Sequence, residues 1–167
     1  MRYLMFGVAL AALSAGATAQ DSVWGFFDGG MGAGVQATDG SQLLIKCDMP
    51  GKRAVYAVVV ASQNLAAPLP GNNYDSGPVT IRMDQNAPWN DNWRFNGKYA
   101  TAVDRGNTRS LTRLLDKLQN AKTFTIQMKP VGKGEVDATF SVAGAKDAIA
   151  KVYTSCKDDN PIAGGAS

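Results

Sequence analysis

Two cysteines set the first limit on how this chain can fold. Cys47 ends the stretch "LLIKC" and Cys156 ends "FSVAGAKDAIAKVYTSC", so a bridge between them would enclose most of the polypeptide. Leu43, Ile45 and Cys47 alternate on one face of an expected strand, the period-two pattern of a half-buried β segment. Ala145, Ala148, Ile149 and Val152 share one face of an expected helix, and Cys156 continues that stripe. Both sulfurs therefore face the apolar side of their elements.

The compartment bears on what those sulfurs become. The chain opens "MRYLMFGVALAALSAGATAQ", with Arg2 ahead of an apolar run from Leu4 to Leu13 that is too short to span a bilayer. Ala17-Thr18-Ala19 supplies the small-x-small pattern of a signal-peptidase site, so residues 1–19 are expected to be a signal peptide. The longest later apolar run, Ala54 to Ala61, is only strand-sized, and no membrane insertion is expected after cleavage. The expected address is the periplasm, with onward release to the medium left open. In an oxidising compartment an even cysteine count points to bridging, and Cys47–Cys156 is the expected disulfide, two free thiols being the alternative. Closing so long a loop stabilises a fold by roughly 4–5 kcal/mol in the chain-entropy description.

The rest of the chain reads as one domain over residues 20–157, followed by a flexible tail at 158–167. Trp24, Phe26 and Phe27 mark a first strand, and the glycine-rich "MGAGVQATDGSQ" reads as a connection with a turn at Asp39-Gly40. Strands follow at Leu43–Cys47 and Arg53–Val60, with Pro50-Gly51 at the centre of a type II turn between them. The second is apolar on both faces, as befits a central strand. Residues 62–78 carry three prolines and read as a long surface loop. A strand at Val79–Asp84 precedes an aromatic hairpin turning at Asn96-Gly97. "SLTRLLDKLQN" is an amphipathic helix, with Leu111, Leu114, Leu115 and Leu118 on one face and Arg109, Arg113 and Lys117 on the other. "TFTIQMK" and "VDATFSV" alternate as a second hairpin before the terminal helix. The sum is an α+β class: a single twisted, mostly antiparallel sheet, two late helices covering one face, and one disulfide.

Composition narrows the function. The chain has 17 basic and 14 acidic residues, a balance that speaks against a dedicated nucleic-acid surface. Histidine is absent and Glu135 is the only glutamate, which removes the commonest general base and metal ligand. No catalytic residue, cofactor or metal site is expected. "DGGMGAG" lacks the spacing of a dinucleotide-binding loop and the helix that should follow one. A glycan hydrolase using Glu135 with an aspartate is the remaining enzymatic option, although Glu135 adjoins the turn residue Gly134.

Two groups of residues stand out as binding candidates. Trp89, Trp93, Phe95 and Tyr99 crowd one hairpin among asparagines and Arg94, an aromatic surface able to stack on a glycan or anchor a protein. Packing in the core competes with that role, above all for Trp93. Arg82 and Asp84, two positions apart on one strand, are expected to face the same way as an ion pair or a partner contact.

Trp24, "LLIKC", "IRMD" at Ile81–Asp84, Trp93, the leucine helix and the terminal "FSVAGAKDAIAKVYTSC" occur in an order that resembles the type VI secretion-associated VasI/TagO family of exported envelope proteins. The likeness spans about residues 24 to 156. It implies a periplasmic accessory domain with one disulfide, no known catalytic centre, and Arg82 and Asp84 as the polar positions of an Arg-x-Asp pattern. The expected function is thus non-enzymatic binding of an envelope or secretion-system protein. Peptidoglycan binding or cleavage, and inhibition of a secreted hydrolase through the 62–78 loop, are the alternatives.

Overall fold

The computed structural model describes residues 24–130 and 132–164, so the expected signal segment lies outside it. Nine strands form one sheet: β1 (Gly25–Phe27), β2 (Gly32–Gln36), β3 (Gln42–Cys47), β4 (Val55–Val60), β5 (Asp75–Met83), β6 (Trp89–Asn96), β7 (Tyr99–Ala102), β10 (Thr123–Met128) and β11 (Val136–Ser141). Their spatial order is β1-β2-β3-β4-β7-β6-β5-β10-β11, and neighbouring strands pair antiparallel. A small hairpin of β8 (Asp104–Arg105) and β9 (Thr108–Arg109) leads into helix α1 (Ser110–Leu118), and α2 (Ala145–Cys156) follows β11. This is the α+β architecture expected from the sequence. Strand β4, apolar on both faces, lies between β3 and β7 well inside the sheet.

One face of the sheet makes the core. Leu43 and Ile45 of β3, Ile81 of β5, Trp93 and Phe95 of β6, and Phe124 and Phe140 of the last hairpin all join a single buried cluster. Helix α1 adds its four leucines, and α2 adds Ala145, Ala148, Ile149 and Val152. The sheet curls until its ends meet: the Trp24 indole N–H, just before β1, donates to the Val142 carbonyl just after β11 at 3.4 Å. No helix among the described residues is long and apolar enough to cross a membrane.

The disulfide Cys47–Cys156 closes the bottom of this structure, joining the end of β3 to the end of α2 across a sequence separation of 109. Helix α2 stops in a Schellman motif. The Lys157 N–H bonds the Thr154 carbonyl and the Asp158 N–H bonds that of Tyr153, with Lys157 in the left-handed region at φ 56°. This stop aims Asp158 back at the β3–β4 turn, where its carboxylate accepts from the Arg53 and Ala54 N–H groups at 3.0 and 3.1 Å. The Gly51 N–H donates to the Cys156 carbonyl at 2.7 Å. The bridge is therefore backed by three hydrogen bonds. The turn itself is as expected, with Lys52 N–H closing onto the Met49 carbonyl around Pro50-Gly51 and Gly51 at φ 72°.

Several local expectations need correction. The glycine-rich stretch after Asp28 is a short turn followed by a true strand, β2, because Gly32 and Gly34 leave room for the side chains of Phe27 and Leu44 on the outer face. The loop after β4 ends at Tyr74, since β5 starts at Asp75 and pairs through Gly77-Pro78 with β6. The β6–β7 hairpin turns on Gly97-Lys98, with Asn96 opposite Tyr99. Only the first of those two central residues has positive φ, the pattern of a type II′ turn with glycine first. Arg109 precedes α1 rather than lying on it. Within residues 158–164, Asp158 bonds the β3–β4 turn and Ile162, 8% exposed, joins the core cluster, while Asp159, Pro161, Ala163 and Gly164 are exposed.

Candidate functional site

The six residues singled out for binding do not form one surface. Trp93 and Phe95 point inward and are 1% and 2% exposed, so they are core. Trp89 is half-buried at the start of β6, with the Lys117 ammonium 5.7 Å from its ring centroid. Tyr99 alone of the four aromatics is open, at 53% exposure.

Arg82 and Asp84 separate for a backbone reason. β5 ends at Met83, and Asp84 turns away in the left-handed region at φ 51°. Its carboxylate accepts from the Lys122 and Thr123 N–H groups at 3.0 and 2.8 Å, pinning the start of β10. No ion pair joins it to Arg82 among the described residues, and Arg82 lies exposed opposite Thr125. Glu135 is engaged by Lys129 at 3.0 Å across the neck of the last hairpin. The disulfide sulfurs and Asp158 bring potential metal-ligand atoms together, but two sulfurs bonded to each other offer no thiolate.

What remains is a pair of surfaces. The first is the outer face of β3, β4 and β7, on the side of the sheet away from the buried cluster. A shallow groove of about 550 Å³ runs there, floored by Leu44, Val58 and Val60 and walled by Tyr56, Tyr99 and Lys46. The Tyr56 hydroxyl donates to Asp48 at 3.0 Å. Burial and that carboxylate acceptor together push the phenol up to about 12. Near the other end of β3, hydrogen bonds from Ser41 and Ser62 outweigh the upward push of burial and hold the Asp39 carboxyl below its ordinary value.

The second surface is a cleft of about 280 Å³ beside β6, reached by Tyr74, Asp91, Trp93, Arg94, Arg105 and Ser110. It exists because β7 runs beside β6 only from Arg94 to Asn96, leaving the 89–93 half of β6 without β7 alongside. The guanidinium of Arg94 sits 4.5 Å from the Tyr74 ring centroid, and Arg105 Nη1 donates to the Tyr74 hydroxyl at 3.0 Å. Strand alternation alone puts Arg94 on the face opposite Trp93, whereas nothing local in the sequence points to Tyr74 or Arg105. These two lie 31 positions apart, in a loop and a two-residue strand that carry no periodic signal.

Fold and surfaces together define a disulfide-clasped α+β domain with an open sheet face and one arginine-bearing cleft. A family model described as YfjT matches residues 22–149, more than half of the chain, and the protein belongs to that family. Neither a curated protein nor a solved structure matches it.

Proposed function

We propose that this protein is an exported, non-enzymatic binding domain of the cell envelope that docks a protein partner on the outer sheet face around Tyr99. The observation that carries the reading is the groove: an aliphatic floor of Leu44, Val58 and Val60 beside the half-exposed Tyr99 ring. Aromatic side chains beside an apolar floor are the usual anchors of protein interfaces. Lys46 at the rim favours a partner segment that pairs an apolar anchor with an acidic neighbour. Export is supported by the signal-like opening sequence, and the disulfide is compatible with it. An association with a secretion apparatus rests on the motif resemblance alone.

The test is photo-crosslinking in cells from position 99, with position 113 on the solvated face of α1 as the reference. A reproducible envelope-protein adduct from position 99, absent from 113, is the expected outcome. Identical adduct patterns from both positions would remove the docking face.

A further inference from the structure

We propose that the cleft at Tyr74, Arg94 and Arg105 binds the carboxylate end of a peptide. The proposal is independent of the docking face. Two guanidinium groups converge on one tyrosine, one over its ring and one on its hydroxyl. Neither forms an ion pair with a carboxylate among the described residues. Like charges gathered this way repel, and an anion between them relieves that repulsion. The planar guanidinium fork fits a carboxylate with two parallel hydrogen bonds.

One more group in the same cleft refines the ligand. Asp91 Oδ1 accepts from the Ser110 hydroxyl at 3.0 Å and from the Asn92 N–H at 2.8 Å. Asp91 Oδ2 is buried and has no partner among the described residues. Buried polar atoms are nearly always satisfied in native proteins, so an unpaired acceptor on a residue lining the cleft marks a place for a ligand donor. A peptide end supplies what is missing: a carboxylate for the arginines and an amide N–H for Asp91. Inorganic phosphate offers almost only acceptors and would leave Asp91 facing a second anion. The volume of about 280 Å³ is small for a ligand site and suits the last residues of a chain.

The experiment follows the Trp indole and backbone N–H signals by NMR while purified protein is titrated with N-acetyl-alanyl-alanine. The C-terminal amide of the same dipeptide and inorganic phosphate are run in parallel. The acid is expected to shift Trp93, Arg94 and Arg105 with a Kd of about millimolar order. The amide should bind about tenfold more weakly or worse, because the charge-assisted pair is gone. Arg94→Gln and the fully surface variant Arg105→Gln should each weaken the acid about tenfold with unchanged Tm, and Asp91→Asn should also weaken it. No shift at about 20 mM acid, equal response to acid and amide, or tighter binding of phosphate would each overturn the proposal.

Discussion

The ring of Phe95 lies against Gly77 on the facing strand, so close that a methyl group on the glycine would fall 2.0 Å from Phe95 Cε2. Phe95 is one of the largest fully buried side chains and cannot swing out to solvent. Gly77→Ala should therefore cost about 1–3 kcal/mol through overpacking, visible as a lower urea midpoint. Gly34→Ala makes a useful contrast. Its nearest obstacle is Leu44 Cδ2 at 2.4 Å, the flexible end of a half-exposed side chain, and a smaller loss is expected. Equal losses would mean that the inner and outer faces yield alike.

The clasp gives the largest expected effect. Replacing both Cys47 and Cys156 with serine should remove roughly 4–5 kcal/mol of stability, because the bridge constrains a very long loop of the unfolded chain. Intact-mass measurement of native protein after alkylation should show no modified thiol. Reductant should lower the denaturation midpoint of the natural chain and leave the double variant unmoved.

Asp84 and Arg82 should behave oppositely despite their shared motif. Asp84→Ala leaves the N–H groups of Lys122 and Thr123 without their acceptor and should cost about 1–2 kcal/mol. Arg82→Ala, at an exposed site, should stay within about 0.5 kcal/mol of the natural protein. Thermal unfolding of the two variants decides this, and a larger loss at Arg82 would reverse the assignment.

Alkaline pH should loosen the fold through Tyr56. Its folded value of about 12 stands above the ordinary tyrosine value near 10, so its contribution is complete below about 10 and is lost as pH rises towards 12. Tyr153 is pushed in the same direction by burial and then by Asp104 and Asp158. Tyrosinate absorbance should show two rings titrating late, and Tyr56→Phe should flatten the fall in Tm above pH 10. An unchanged slope in that variant would place the alkaline sensitivity elsewhere.

Much of the framework was legible because it is local. Thr123–Met128 and Val136–Ser141 alternate strictly and form β10 and β11, and the leucines of α1 face the core as their spacing requires. Glycine and proline misled where packing overrode propensity. Gly32, Gly34 and Gly77 sit inside strands because neighbouring side chains occupy the space a Cβ would take. Asp158 carries no local signal of its role, which depends on Arg53 and Ala54, more than a hundred positions away. The cleft was hidden for the same reason. A loop tyrosine and two arginines from separate strands become neighbours only once β5, β6 and β8 are in place.

Cys156 trails Cys47 by 109 positions, and between them lie six of the nine strands of the main sheet and both helices. During synthesis the first sulfur must wait, without its native partner, until the last helix emerges. Oxidation of this pair thus requires the whole domain: a molecule truncated anywhere before the final helix has no second sulfur and cannot be sealed.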